Sequence, residues 1–131
     1  MLKVTVFYGG LLAIWFLVLS IRVIQGRMGK GRPSLGDGGD PMMQRRIRGH
    51  ANFAEYVPLT LMLIAFLELN GWPAWVIHLL GANLLLGRIL HGYAFAFTRE
   101  YVMGRSVGIG LTFLVLLIAA SLCVFTGVQS L

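Results

Sequence analysis

Four long apolar stretches alternate with short polar ones along the chain: Val4–Ile24, Arg46–Leu69, Trp72–Phe97 and Val107–Gln129. Each has the roughly 20 mostly apolar residues that a membrane-spanning helix needs. No short alternating runs recur at the regular spacing of a transmembrane barrel, so the pattern predicts an all-α membrane protein, a four-transmembrane-helix bundle. The first stretch exceeds the usual 7–15-residue apolar core of a signal peptide and runs into Arg22 without a small-residue cleavage site, so it is assigned as helix one.

The polar segments predict how the helices begin and end. Gln25 to Asp40 is rich in glycine and basic residues and contains Pro33, the signature of a loop. Asp40-Pro41 predicts the start of helix two, with Asp as N-cap and Pro in the first turn. Asn70-Gly71 predicts its end, and Trp72 and Trp75 suit an interfacial aromatic belt. Glu68, beside that turn, is expected to be solvated. Pro58 is expected to kink helix two, and Gly81, Gly87, Gly92, Gly108 and Gly110 are expected to allow close helix crossings.

Composition strengthens this reading. An apolar fraction of 57% and a mean hydropathy of +0.79 in 131 residues indicate one membrane-embedded domain, residues 1–131. The net charge of +6 raises the question of nucleic acid, but its placement answers it. Of 11 Lys and Arg residues, all but Lys3 lie in or beside the segments joining helices one to two and three to four. That asymmetry predicts both basic loops to be cytoplasmic and both termini to lie on the opposite side, with the lipid bilayer rather than a nucleic acid as the charged partner. The single Cys123 lies in apolar sequence and reads as packing. His50, His78 and His91 show no short ligand spacing, so no metal site is expected.

The chemistry concentrates in Asp40 to Pro58. At 100° per residue, Arg45, Arg48, Asn52 and Glu55 fall within about 80° of one helix face, while His50 points elsewhere. Ionisable groups within a membrane segment are costly, so such a cluster pairs internally or lines a polar site. On helix three, Arg88 and His91 share a face that Phe95 continues. Arg88 lies about 14 Å inward from Phe97 and Glu55 about 15 Å inward from Arg45 at ~1.5 Å per residue, so the two are expected to meet. Arg105 and Ser106 are expected at the start of helix four, where the dipole adds to the attraction for an anion. Arg22, near the end of helix one, is either a snorkelling anchor or a further ligand contact. Several arginines and one acid suit an anion that also carries a positive group. Glutathione, with two carboxylates, an ammonium and a thiol, fits, and a lipid headgroup satisfies much of the same logic.

Asp40-Pro41, Arg45, Arg48-Gly49-His50-Ala51-Asn52, Glu55 and Pro58 resemble the helix-two signature of the MAPEG family, membrane-associated proteins in eicosanoid and glutathione metabolism. Gly87-Arg88-Ile89-Leu90-His91 resembles its helix-three signature and Arg105-Ser106 the start of its fourth helix. The resemblance spans essentially the whole chain. It implies a homotrimer with helix two at the centre and glutathione, as co-substrate, bound between subunits. Arg48, Asn52 and Glu55 would hold the peptide, with Arg22 and Arg45 as further contacts. Arg88 and His91 would complete the pocket. Arg105, with Ser106 close by, would stabilise a thiolate that attacks a lipophilic electrophile or hydroperoxide. Ala51 stands where prostaglandin-forming members carry Arg, Phe95 where several carry Tyr, and the Ile109 region where a Tyr is expected one turn into helix four. The pattern is therefore that of a bacterial or microsomal-transferase-like member. Two other function classes are weighed: a non-catalytic scaffold or lipid-binding protein of the same fold, and a small multidrug-type transporter. The second is disfavoured because helix one carries no intramembrane acid.

Overall fold

The computed structural model describes residues 1–130 as four antiparallel helices, α1 (Lys3–Arg27), α2 (Pro41–Leu69), α3 (Ala74–Ala96) and α4 (Val102–Ser130). At 23 to 29 residues each, they run about 35–44 Å at ~1.5 Å per residue, enough to cross a bilayer core. All four are long and apolar enough to be spans, so the chain is a multi-pass integral membrane protein. Helices α2 and α3 each pack on all three others, whereas α1 and α4 do not touch. The bundle is therefore a rhombus with α2 and α3 along its short diagonal. The 28–40 loop and the 97–101 loop lie at one end, the basic end.

The expected caps form. The Asp40 carboxylate accepts from Met42 N at 2.9 Å, with Pro41 as the first helical residue. At the other end of α2, Gly71 N donates to Glu68 O and Trp72 N to Leu67 O, a Schellman closure whose left-handed residue is Gly71 at φ 80°. Helix α2 continues without a break across Pro58. Helix α4 begins at Val102, one turn before the apolar run that predicted it.

Two expectations need correction. Glu68 is not simply solvated: its carboxylate accepts from Val4 N at 2.9 Å and Thr5 N at 2.8 Å, so it caps α1 from the end of α2. An acid is favoured there because the first N–H groups of a helix are unpaired and the dipole end is positive. Nor do Gly108 and Gly110 play the same part. A Cβ on Gly108 would lie 2.6 Å from the Gly87 carbonyl and the His91 amide nitrogen, whereas one on Gly110 would meet nothing within 4 Å. The α3–α4 crossing is thus a backbone contact at Gly87 and Gly108, and Gly110 takes no part in it.

Substituting Gly108→Ala should destabilise the detergent-solubilised protein by about 1–3 kcal/mol, because backbone rather than a flexible side chain must give way. Gly110→Ala should be neutral or slightly stabilising. Equal thermal midpoints for the two variants would remove Gly108 from the crossing.

The Asp40 carboxyl is held below the usual carboxylate range, first by the Met42 N–H and then by Arg32, 2.7 Å away. A depressed folded-state value means that the stabilisation is present above the ordinary aspartate range and is lost as pH falls through the lowered value. Asp40→Asn keeps a good N-cap but loses the charge. Its deficit in thermal midpoint should be present at neutral pH and vanish as pH falls through the lowered Asp40 value, in a thermal scan repeated across pH.

Candidate functional site

Arg88 is the largest fully buried side chain of the bundle, with 0% exposure. Local sequence makes room for it. The preceding Gly87 lets α4 approach, and Gly92, one turn on, admits Trp15 of α1, whose Nε1 would lie 2.8 Å from a Cβ at that position. Trp15 Nε1 donates to the Arg88 carbonyl at 2.9 Å, fixing α1 to this turn. The guanidinium reaches two neighbouring helices and a residue of its own. Nη2 donates to Asn52 Oδ1 of α2 at 2.9 Å and meets His91 Nδ1 at 3.3 Å, while Nη1 donates to Thr112 Oγ1 of α4 at 3.4 Å. Its face lies 5.5 Å from the Phe53 ring. Every one of these partners is neutral.

The expected meeting of Arg88 with Glu55 does not occur within this chain: among the described residues, the ion pairs are Arg32–Asp40 and Arg48–Glu55. Arg48 and Glu55 approach to 3.5 Å with side chains 56% and 49% exposed, so Glu55 is not the buried acid that its depth suggested. The reason is rotational. Asn52 occupies the part of the α2 face turned to Arg88, and Arg48 and Glu55 lie on its outward edge. Tyr56, beside Glu55, turns back and packs edge-on against Phe113 of α4.

Within the chain, Arg22 and Arg45 are engaged by carbonyls at the end of α3. Arg22 donates through Nε and Nη2 to the Ala96 carbonyl and through Nη1 to Gln25, and its guanidinium lies 4.5 Å from the Phe97 ring. Arg45 donates to Ala94 O at 2.7 Å and Thr98 O at 3.2 Å, over the ring of Phe95. Two cations from two helices thus close the C-terminal carbonyls of α3, where the dipole end is negative.

Arg105 and Ser106 are exposed, and because α4 starts at Val102, the Arg105 N–H is already bonded to Tyr101 O at 3.3 Å. The expected free backbone donors at Arg105 are therefore used; what remains is its charge, one turn from the helix start. The Arg105 guanidinium lies 5.8 Å from the Phe95 ring, whose other neighbours are Arg45 and His91. Phe95 thereby joins the arginines of the basic end to the Arg88 cluster, and Gly49 permits it, since a Cβ there would sit 2.8 Å from Phe95 Cβ. His50 points away from that face, as expected, and meets α1: its Nε2 lies 3.1 Å from Ser20 Oγ and its ring stacks on Phe16.

Helical spacing does not single out Thr112 or Trp15. A signal for Thr112 exists in its position four residues after Gly108, a lone hydroxyl on the face the glycine leaves open.

The profile of the MAPEG family matches residues 5–125. The chain belongs to the MAPEG family. Among curated relatives, the inner membrane protein YecN of Escherichia coli strain K12 is 39% identical over 92 residues, 70% of each chain. YecN of Escherichia coli O6:H1, strain CFT073, matches with the same figures. No solved structure gives a significant match. For this MAPEG chain, the motif residues divide into a buried set around Arg88, an outward set of Arg48, Glu55, Arg105 and Ser106, and the closing pair Arg22 and Arg45.

That division is testable. Arg22→Gln should lower stability in detergent by about 1–2 kcal/mol, the scale of hydrogen bonds to a charged donor with some solvent screening, and leave anion affinity within twofold of wild type. Thermal unfolding and ligand titration on the same preparation measure both. A large loss of affinity with an unchanged midpoint would return Arg22 to the ligand.

Proposed function

We propose that this protein binds glutathione at the basic end, lowers the pKa of its thiol and transfers it to, or uses it to reduce, small lipophilic electrophiles arriving from the bilayer. The observation that carries this reading is the Arg88 cluster: a fully buried guanidinium whose partners are all neutral, with its Nε unpaired. A charge in that setting attracts an anion, since several kcal/mol of desolvation is otherwise only partly offset. Arg48 and Arg105 add exposed cations and Glu55 an acid for an ammonium, the inventory that a peptide with two carboxylates and one amine matches. Family membership supports the same reading.

The site is completed, on this reading, by a second copy in a homotrimer. Arg48, Ala51, Glu55, Pro58 and Met62 follow one another along α2 at alternating steps of three and four residues, and none of them is buried within the chain. That spacing is the seam of helices packed side by side, and half-exposed charges on it are not tolerated against lipid. Basic loops facing the cytoplasm would put the site within reach of cytoplasmic glutathione. The second reading, a non-catalytic or lipid-binding member of the same fold, draws on the same cations, which also suit a phosphate headgroup.

Arg105 is assigned as the thiolate's cation and Ser106 as a weaker neighbour. Free thiols titrate near 8.5, and a nearby cation lowers that value. Removing the charge raises it, so at neutral pH the thiolate fraction falls. In thiolate absorbance followed against pH with glutathione bound, Arg105→Ala should shift the transition upward by about one unit, while Ser106→Ala shifts it less. Absence of any bound thiolate below the free-thiol range in wild type would favour the non-catalytic reading.

A further inference from the structure

The buried cluster has a fixed hydrogen-bond polarity. A guanidinium can only donate. The Asn52 atom 2.9 Å from Arg88 Nη2 is therefore the amide oxygen, and the His91 nitrogen 3.3 Å from the same Nη2 must present a lone pair. Neutral histidine carries one ring proton, so His91 holds it on Nε2. Thr112 is oriented in the same way: its hydroxyl donates to Gly108 O at 2.9 Å, leaving its lone pairs to accept from Arg88 Nη1. Neither Asn52 Nδ2 nor His91 Nε2 has a hydrogen-bond partner among the described residues, and Arg88 Nε is buried without one. Of the three, only Arg88 Nε is enclosed without a partner, which carries a cost unless an acceptor is supplied, while the Asn52 and His91 N–H groups stay open to one.

We infer that Arg88, locked by Thr112, is a positioning residue that holds Asn52 and His91 with their N–H groups turned away from it, so that the site offers neutral donors to an anionic ligand and His91 serves as a donor rather than a base. The inference rests on the proposed glutathione reading only where it names the acceptors, carboxylate and thiolate. The tautomer itself depends on the protein alone. While Nδ1 faces Arg88 and Nε2 keeps its proton, His91 has no free lone pair with which to take the thiol proton. Its N–H instead favours the charged form of an acceptor placed against it. Thr112 is outside the family motif residues and touches no exposed part of the site, with 0% exposure, so its effect on a ligand passes through Arg88.

Thr112→Val keeps the shape and removes the acceptor, and Thr112→Ser restores it. The full chain, labelled with 15N-histidine and held in detergent at neutral pH, reports the ring tautomers by NMR, with the His91 signals assigned by their loss in His91→Gln. Wild type and Thr112→Ser should show one His91 tautomer, protonated on Nε2. Thr112→Val should show a mixture and bind reduced glutathione about 5- to 30-fold more weakly, with Thr112→Ser close to wild type. A His91 proton on Nδ1 in wild type, or an unchanged tautomer in Thr112→Val, overturns the inference. Failure of wild type to bind glutathione while the tautomers behave as stated overturns the glutathione reading and supports the positioning role.

Discussion

The structure depends on burying one guanidinium inside a membrane bundle. Removing an arginine from water costs several kcal/mol even after relaxation, and among the described residues no carboxylate lies within ion-pair distance of Arg88 to offset it. Neutral oxygens must do so, and they must come from different helices because a planar fork of donors points in several directions at once. That requirement accounts for the composition around it. Asn52 reaches in from α2 and Thr112 from α4. Gly87 and Gly108 let two backbones come close enough for a threonine hydroxyl to reach. The Arg88 turn also gives its carbonyl to Trp15 of α1, so all three other helices bond to this one turn of α3.

A second use of arginine stands at the basic end. The last carbonyls of a helix have no partners of their own, and in a membrane protein water is a limited substitute for them. Arg22 and Arg45 supply donors to Ala94, Ala96 and Thr98 and lay their faces over Phe97 and Phe95. These arginines are held by oxygen and aromatic faces rather than by acids, which suits guanidinium better than the compact ammonium of lysine. The consequence is a division of labour among residues that look alike in the sequence. Of the motif arginines, Arg48 and Arg105 alone remain exposed.

The helices, the Asp40-Pro41 start, the Asn70-Gly71 stop and the gathering of motif residues on α2 and α3 were legible in the sequence because each rests on interactions within a few residues. The uses of Glu68 and Arg22 were not. Glu68 bonds to residues 63 and 64 positions away, and Arg22 to a carbonyl 74 positions away. Periodicity specifies which face of a helix a side chain occupies, not what the neighbouring helix presents to that face. The same limit explains why Glu55 was expected against Arg88. Asn52 and Glu55 lie about 60° apart around α2 at 100° per residue, and a rotation of that size decides which of them points inward. Likewise Gly108 and Gly110 are equivalent in composition and differ only in which one faces Gly87.

The outward set closes the argument about assembly. Arg48 and Glu55 pair at 3.5 Å in half-exposed positions on α2, and an ion pair so placed is worth little in water and cannot stand against hydrocarbon. On the proposed reading the α2 seam of a neighbouring copy covers it, and the ligand lies in the same crevice. Binding and assembly are then linked by mass action, because a ligand that touches two copies binds the assembled state alone and stabilises it by an amount that grows with ligand concentration over Kd. Charged residues retained on a helix seam are costly for the isolated chain. On the proposed reading their cost is lowest when copy and ligand are both present, and α2 is then a poor surface for lipid and a good one for a charged peptide held between subunits.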